Sequence, residues 1–142
     1  MSTKSVRAIH WVSTLLFVAA LVWSGIQYLI EAPRMVATMT HLGYPIYFTK
    51  ILGIAKLLGA AALLYPKFPT LKEWAYAGFT FDVVGAFLSH VSVGDPIYIA
   101  LVPLGFLVLL LISYGSWKRL ERTAPSVARE KPERWQSAPI NA

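Results

Sequence analysis

One lysine and one aspartate stand inside apolar runs where a charge is costly. Lys56 interrupts Tyr47 to Leu64, and Asp82 interrupts Trp74 to Val91. The link Tyr65-Pro66-Lys67-Phe68-Pro69-Thr70 is too short for anything but a tight turn, so the two runs are expected to be antiparallel helices. Lys56 lies about nine residues before the turn and Asp82 about nine after Glu73, which puts both ~13 Å deep at ~1.5 Å per residue. A lone charge near a bilayer midplane costs ~2.5–3.5 kcal/mol on insertion scales. Opposite charges at one depth on adjacent helices remove most of that cost. The pair therefore reads in three ways: a structural ion pair that fixes helix register, the lining of a polar cavity for a ligand or a proton, or two charges that never meet.

The neighbours of both residues are small. Gly53, Gly59 and Ala60 surround Lys56 by helical spacing, and Gly78, Gly85 and Ala86 surround Asp82, with Ala75 and Ser89 continuing the stripe. Small residues let helix backbones approach in a membrane. Further pocket candidates are His90 at the outer end of the third span, Gln27 on a face with Ala20 and Ser24, and Trp74, Tyr76 and Ser89. His90 could relay a proton or bind a ligand, or be an interfacial polar group. Gln27 fits a helix–helix hydrogen bond as well as a ligand contact.

Other polar residues have structural readings. Thr70-Leu71-Lys72-Glu73 matches a capping box. Asp95-Pro96 reads as an N-cap followed by a first-turn proline. Lys50 should snorkel to the outer interface. No P-loop, dinucleotide fingerprint, zinc-protease motif or G-x-S-x-G occurs. Without cysteine there is no disulfide, thiol catalysis or Cys-ligated cluster. The carboxylates Glu73, Asp82 and Asp95 fall at three depths, so no metal site is expected. A haem between His41 and His90 is not expected either, since no histidine sits mid-helix.

The elements that position these residues are membrane spans. Of 142 residues, 56% are hydrophobic, and they are gathered in long uncharged runs. Spans are expected at about 9–30, 46–65, 72–91 and 97–118, each near the ~20 residues that cross a hydrocarbon core. The first is too long for a signal-peptide core and reads as retained. Pro33 stops it, and Arg34 to Gly43 could form a short interfacial helix. The net charge of +6 is no nucleic-acid signal. Lys4, Arg7, Lys67, Lys72, Lys118, Arg119 and Arg122 share one side of a four-span chain, as the positive-inside pattern requires. Residues 123–142, with three prolines and mixed charge, read as a disordered cytoplasmic tail.

The second and third spans resemble the DoxX-like family of small four-span membrane proteins. The resemblance rests on Leu52-Gly53-Ile54-Ala55-Lys56-Leu57-Leu58-Gly59-Ala60 and Leu71-Lys72-Glu73-Trp74-Ala75-Tyr76-Ala77-Gly78-Phe79. It continues through Phe81-Asp82, Gly85-Ala86, Ser89-His90 and Gly94-Asp95. Family members imply several roles. Some resemble a subunit of a thiosulfate:quinone oxidoreductase, another partners a membrane-associated redox and detoxification complex, and a related animal protein is a receptor-assembly chaperone.

These readings lead to an all-α integral membrane protein. The expected form is a four-helix up-down-up-down bundle over residues 1–122, with N and C termini cytoplasmic and a multi-pass location in the cell inner (plasma) membrane. The leading functional expectation is an accessory protein that binds a quinone or other small amphipathic molecule and supports a membrane redox partner. The alternatives are an assembly factor acting through helix–helix contacts, and a small membrane enzyme using Asp82 or His90 as acid or base. The bilayer is the expected environment, nucleic acid is not a partner, and a homo-oligomer is compatible with the sequence.

Overall fold

A computed structural model describes residues 2–123, which form five helices and, among these residues, no strand. They are α1 (Thr3–Leu29), α2 (Pro33–His41), α3 (Tyr47–Leu64), α4 (Pro69–Ser92) and α5 (Ile97–Thr123). The tail expected to be disordered lies outside the described residues, apart from Thr123, which closes α5.

Local chemistry sets the helix ends. α1 begins well before the expected Ile9 because Ser2 caps it, accepting from the Ser5 N–H at 3.3 Å. α2 starts with Pro33 in its first turn and ends before Gly43, whose φ of +81° suits a residue without a side chain. That glycine turns the chain so that the Tyr44 N–H reaches the Met39 carbonyl at 2.9 Å. α4 corrects one expectation. It begins at Pro69, three residues ahead of the expected start at 72, with Phe68 at the cap and no side-chain cap hydrogen bond. Thr70 is thus already helical and the capping box does not form; a first-turn proline starts the helix instead.

Three helices, α1, α3 and α5, are long and apolar enough to cross a membrane; α4, at 24 residues, is not among them. α1 packs on α3 and α5, α4 packs mainly on α5, and α3 touches α4 least of these pairs. The core runs along α1, α4 and α5 through Phe17, Leu21, Tyr76, Phe79, Leu110 and Trp117, with Leu63 joining from α3. Phe17 and Phe79 meet edge to face at 5.5 Å. Trp23, Trp74, Phe81 and Tyr98 are each at least 70% exposed, a surface suited to lipid rather than water.

The small residues sort into two groups. A Cβ on Gly53 would lie 2.9 Å from the Gly25 carbonyl oxygen, so α1 and α3 approach each other there. A Cβ on Gly59 would collide with the Phe79 ring. On α4, by contrast, Gly78 and Gly85 face open space. The α4 stripe was expected to admit a neighbouring backbone. It borders a cavity instead.

Candidate functional site

The loose seam between α3 and α4 leaves a cavity of about 690 Å³, walled by all five helices. Phe17, Leu21 and Phe79 line its deep end, and Leu52, Ala55, Gly78, Ala86, Val102 and Phe106 its flanks. Met35, Thr38, Met39 and Leu42 of α2 lie over its outer end. The volume is that of a small-molecule pocket, and the mostly apolar lining with a few convergent polar groups has the same character.

Lys56 and Asp82 both line the cavity, and the Lys56 Nζ donates to Asp82 Oδ2. Their side chains retain 13% and 25% exposure. The Tyr28 ring lies 5.9 Å from the Lys56 Nζ and adds a weak cation–π contact. The pair spans the seam between α3 and α4 without closing it. A donor and an acceptor therefore both border space that a ligand could fill.

A second polar group stands at the outer end. His90 Nδ1 donates to Asp95 Oδ2 at 2.6 Å, and His41 Nε2 donates to Asp95 Oδ1 at 2.7 Å. Asp95 thus ties α2, α4 and the α4–α5 turn together. Hydrogen bonds from the His90 and His41 rings hold the Asp95 carboxyl below the usual carboxylate range. Beside this group, the Tyr44 hydroxyl donates to Ser89 Oγ at 2.8 Å, while Ser89 donates to the Gly85 carbonyl. Tyr44, Ser89 and His90 all line the cavity. Asp95 is not the N-cap the sequence suggested: α5 begins two residues later at Ile97, and no backbone N–H among the described residues bonds the carboxylate. Its two oxygens are taken up by imidazoles from elements 54 and 5 residues away in sequence.

A third polar cluster is buried at the other end of the helices. His10 Nδ1 donates to the Ser113 carbonyl at 3.1 Å, which leaves Nε2 as acceptor toward Lys72 Nζ at 3.5 Å. Thr14, Ser113 and Tyr76 form a chain of hydroxyls at 2.5 and 2.7 Å. Lys72 is only 8% exposed and stacks over Trp117 at 4.9 Å. Nothing in its sequence context, a basic turn beside an expected helix start, marked it as buried. Glu73, on the neighbouring face, pairs with Lys118 instead of capping α4.

The candidate pocket residues fall out unevenly. Lys56, Asp82, Ser89 and His90 border the cavity. Tyr76 is buried in the hydroxyl cluster facing α5, outside the cavity lining. Trp74 is 76% exposed and does not line the cavity. Gln27 is half-buried outside the cavity lining, and its neighbour Tyr28 takes the place expected for it. Lys50 reaches Glu31 at 3.2 Å on the exposed surface. Among the described residues no group of three or more His, Cys, Asp or Glu side chains has the geometry to hold a metal ion.

Comparison with known proteins gives one match. The DoxX-like family aligns with residues 12–113, the greater part of the chain, and this range holds the cavity and its polar groups. No curated protein and no solved structure matches.

Proposed function

On the premise that this chain belongs to the DoxX-like family and is a multi-pass membrane protein, we propose that it binds a small amphipathic molecule between its helices. A quinone is the leading candidate, and the protein serves a membrane redox partner rather than holding a redox cofactor itself. The observation that carries this reading is the cavity of about 690 Å³, apolar along its walls and bordered by Lys56 and Asp82. A quinone ring and tail suit the apolar walls, and a ring carbonyl can accept from Lys56 Nζ. The proposed topology is four spans, up-down-up-down, with both termini cytoplasmic in a bacterial inner membrane. α4 then crosses the bilayer by placing Asp82 against Lys56 and Lys72 against His10 and Trp117.

The test is equilibrium binding of a short-tailed benzoquinone to the detergent-solubilised protein. Parent protein should bind it, and folded Lys56→Met and Asp82→Asn variants should bind it at least tenfold more weakly. If both variants bind like the parent, the site is misassigned. A second reading, an assembly factor that engages a partner's transmembrane helix, draws on the exposed α4 face with Trp74 and Phe81. It predicts a stoichiometric membrane partner in gentle extracts and no retained small molecule.

A further inference from the structure

The outer end of the cavity has a feature that the quinone reading does not use. His90 lines the cavity while its Nδ1 is committed to Asp95 Oδ2 at 2.6 Å. A carboxylate can only accept, so that bond keeps a proton on Nδ1. In the neutral ring Nε2 then carries a lone pair and no hydrogen. Nε2 has no bonding partner among the described residues, and none of their side-chain nitrogens or oxygens is both sealed and unpartnered. Nε2 is thus reachable by a ligand or by water. Asp95 itself is held from the far side by His41 of α2, whose Nε2 donates to Oδ1 at 2.7 Å. The carboxylate cannot swing away from His90 without giving up that second bond.

We infer that His90 and Asp95 form a proton-accepting dyad, positioned by His41, that recognises a hydroxyl on a phenol-type ligand, hydroquinones included. This inference rests on the cavity being a ligand site. A hydroxyl donates to Nε2. If the proton transfers, the ligand oxygen keeps the bonding pair as a phenolate and the proton ends on Nε2. The resulting imidazolium sits against the Asp95 carboxylate, which stabilises it. A quinone carbonyl has no hydrogen to offer and would set lone pair against lone pair. The outer end therefore selects the reduced, hydroxyl-bearing form of a ring. The deep end, some eight residues and ~12 Å along α4, offers the Lys56 ammonium to a carbonyl. The Tyr44 hydroxyl and Ser89 stand beside His90, with Tyr44 donating and Ser89 turned to its own helix.

Two measurements decide it. The first compares binding of 4-pentylphenol with that of its methyl ether, which has the same ring and tail and no donor. The parent should prefer the phenol about five- to tenfold, the range of one hydrogen bond to a preorganised acceptor. His90→Phe should erase the preference while still binding both molecules, and Asp95→Ala should reduce it below twofold. Equal affinity of the parent for phenol and ether would overturn the dyad and leave the cavity reading standing. Binding of neither would overturn both. The second measurement is the nitrogen-15 spectrum of the His90 ring in the unliganded parent. A proton on Nδ1 and a bare Nε2 support the dyad. A proton on Nε2 in the neutral ring overturns it, whatever the state of the variants.

Discussion

Lys56 and Asp82 depend on each other more than either supports the fold. Removing one leaves a charge beside an apolar wall, with partial access to the cavity. Lys56→Met or Asp82→Asn should therefore destabilise by about 3 kcal/mol, the low end for breaking a buried pair. The double variant Lys56→Met/Asp82→Leu should recover to within about 1 kcal/mol of the parent, since apolar replacement of both partners is often neutral. Denaturant-induced unfolding in mixed micelles measures both; equal losses in the single and double variants would contradict the pairing. The contact was legible in the sequence, because a short turn and two regular helices let depth be counted. The cavity beside it was not, because it depends on how far α4 leans toward α5 and away from α3. The outer trio was hidden for another reason. Asp95-Pro96 had a sufficient local explanation as a cap, and His41 is 54 residues distant. Titration offers a check on that trio. The Asp95 carboxyl is lowered in the folded protein. Its contribution is thus fully present above the unfolded value near ~3.9 and is lost as pH falls through the lower folded value. The carboxylate's share of the stability difference between parent and Asp95→Asn should be present at neutral pH and be lost as pH falls below about 4. Thermal unfolding across a pH series reads this out, and a difference that vanishes near pH 6 would speak against the bonding described.

At the scale of elements, the glycines separate packing from space. Gly53 lets α3 approach the Gly25 backbone of α1, and Gly53→Ala forces atoms to within 2.9 Å of a carbonyl and of Leu29. The expected cost is about 1–3 kcal/mol from overpacking. Gly78→Ala and Gly85→Ala add a methyl to open space and gain helix propensity. They should be neutral or stabilising by up to about 1 kcal/mol, and Gly85→Leu should block probe binding without unfolding. If Gly78→Ala and Gly53→Ala cost the same, the cavity is filled by another part of the protein. Small residues at helical spacing announce that one face is special. They do not tell whether a backbone or a cavity lies opposite, which is why the α3 and α4 stripes looked alike. α5 shows a similar limit. Its aliphatic surface is mostly exposed, yet Ser113 and Ser116 are buried, and Ser113 ties together Thr14 and Tyr76. Two serines three residues apart on an aliphatic helix were the available signal, and the partners of Ser113 lie on helices far away in sequence.

For the whole molecule, the all-helical class and the membrane character followed from the long apolar runs. The additional α2 was expected as an interfacial helix, and here it lies over the outer end of the cavity. The proposed four-span arrangement makes a clean labelling prediction, because the chain has no native cysteine. Single cysteines at Lys4 and Lys67 should be shielded from a membrane-impermeant maleimide in intact cells. Those at Arg34 and Ser92 should react. Labelling of Lys67→Cys from outside would rule out α3 and α4 as a hairpin turning in the cytoplasm.

The aromatic pair of Phe17 and Phe79 has a consequence at this scale too. Phe79 lies one turn above Tyr76 and one turn below Asp82, and Phe17 lies one turn above Thr14. The two rings meet at the deep end of the cavity, between the buried hydroxyl cluster and the Lys56–Asp82 pair. Under the proposed four-span topology, these rings would stand as an apolar partition between the two polar groups. On that topology, a proton passed inward from His10 and one passed inward from His90 would meet the same rings from opposite ends. A chain that spans the membrane in this way would hold Lys56 and Asp82 within the bilayer with no continuous polar path between the two groups along this seam.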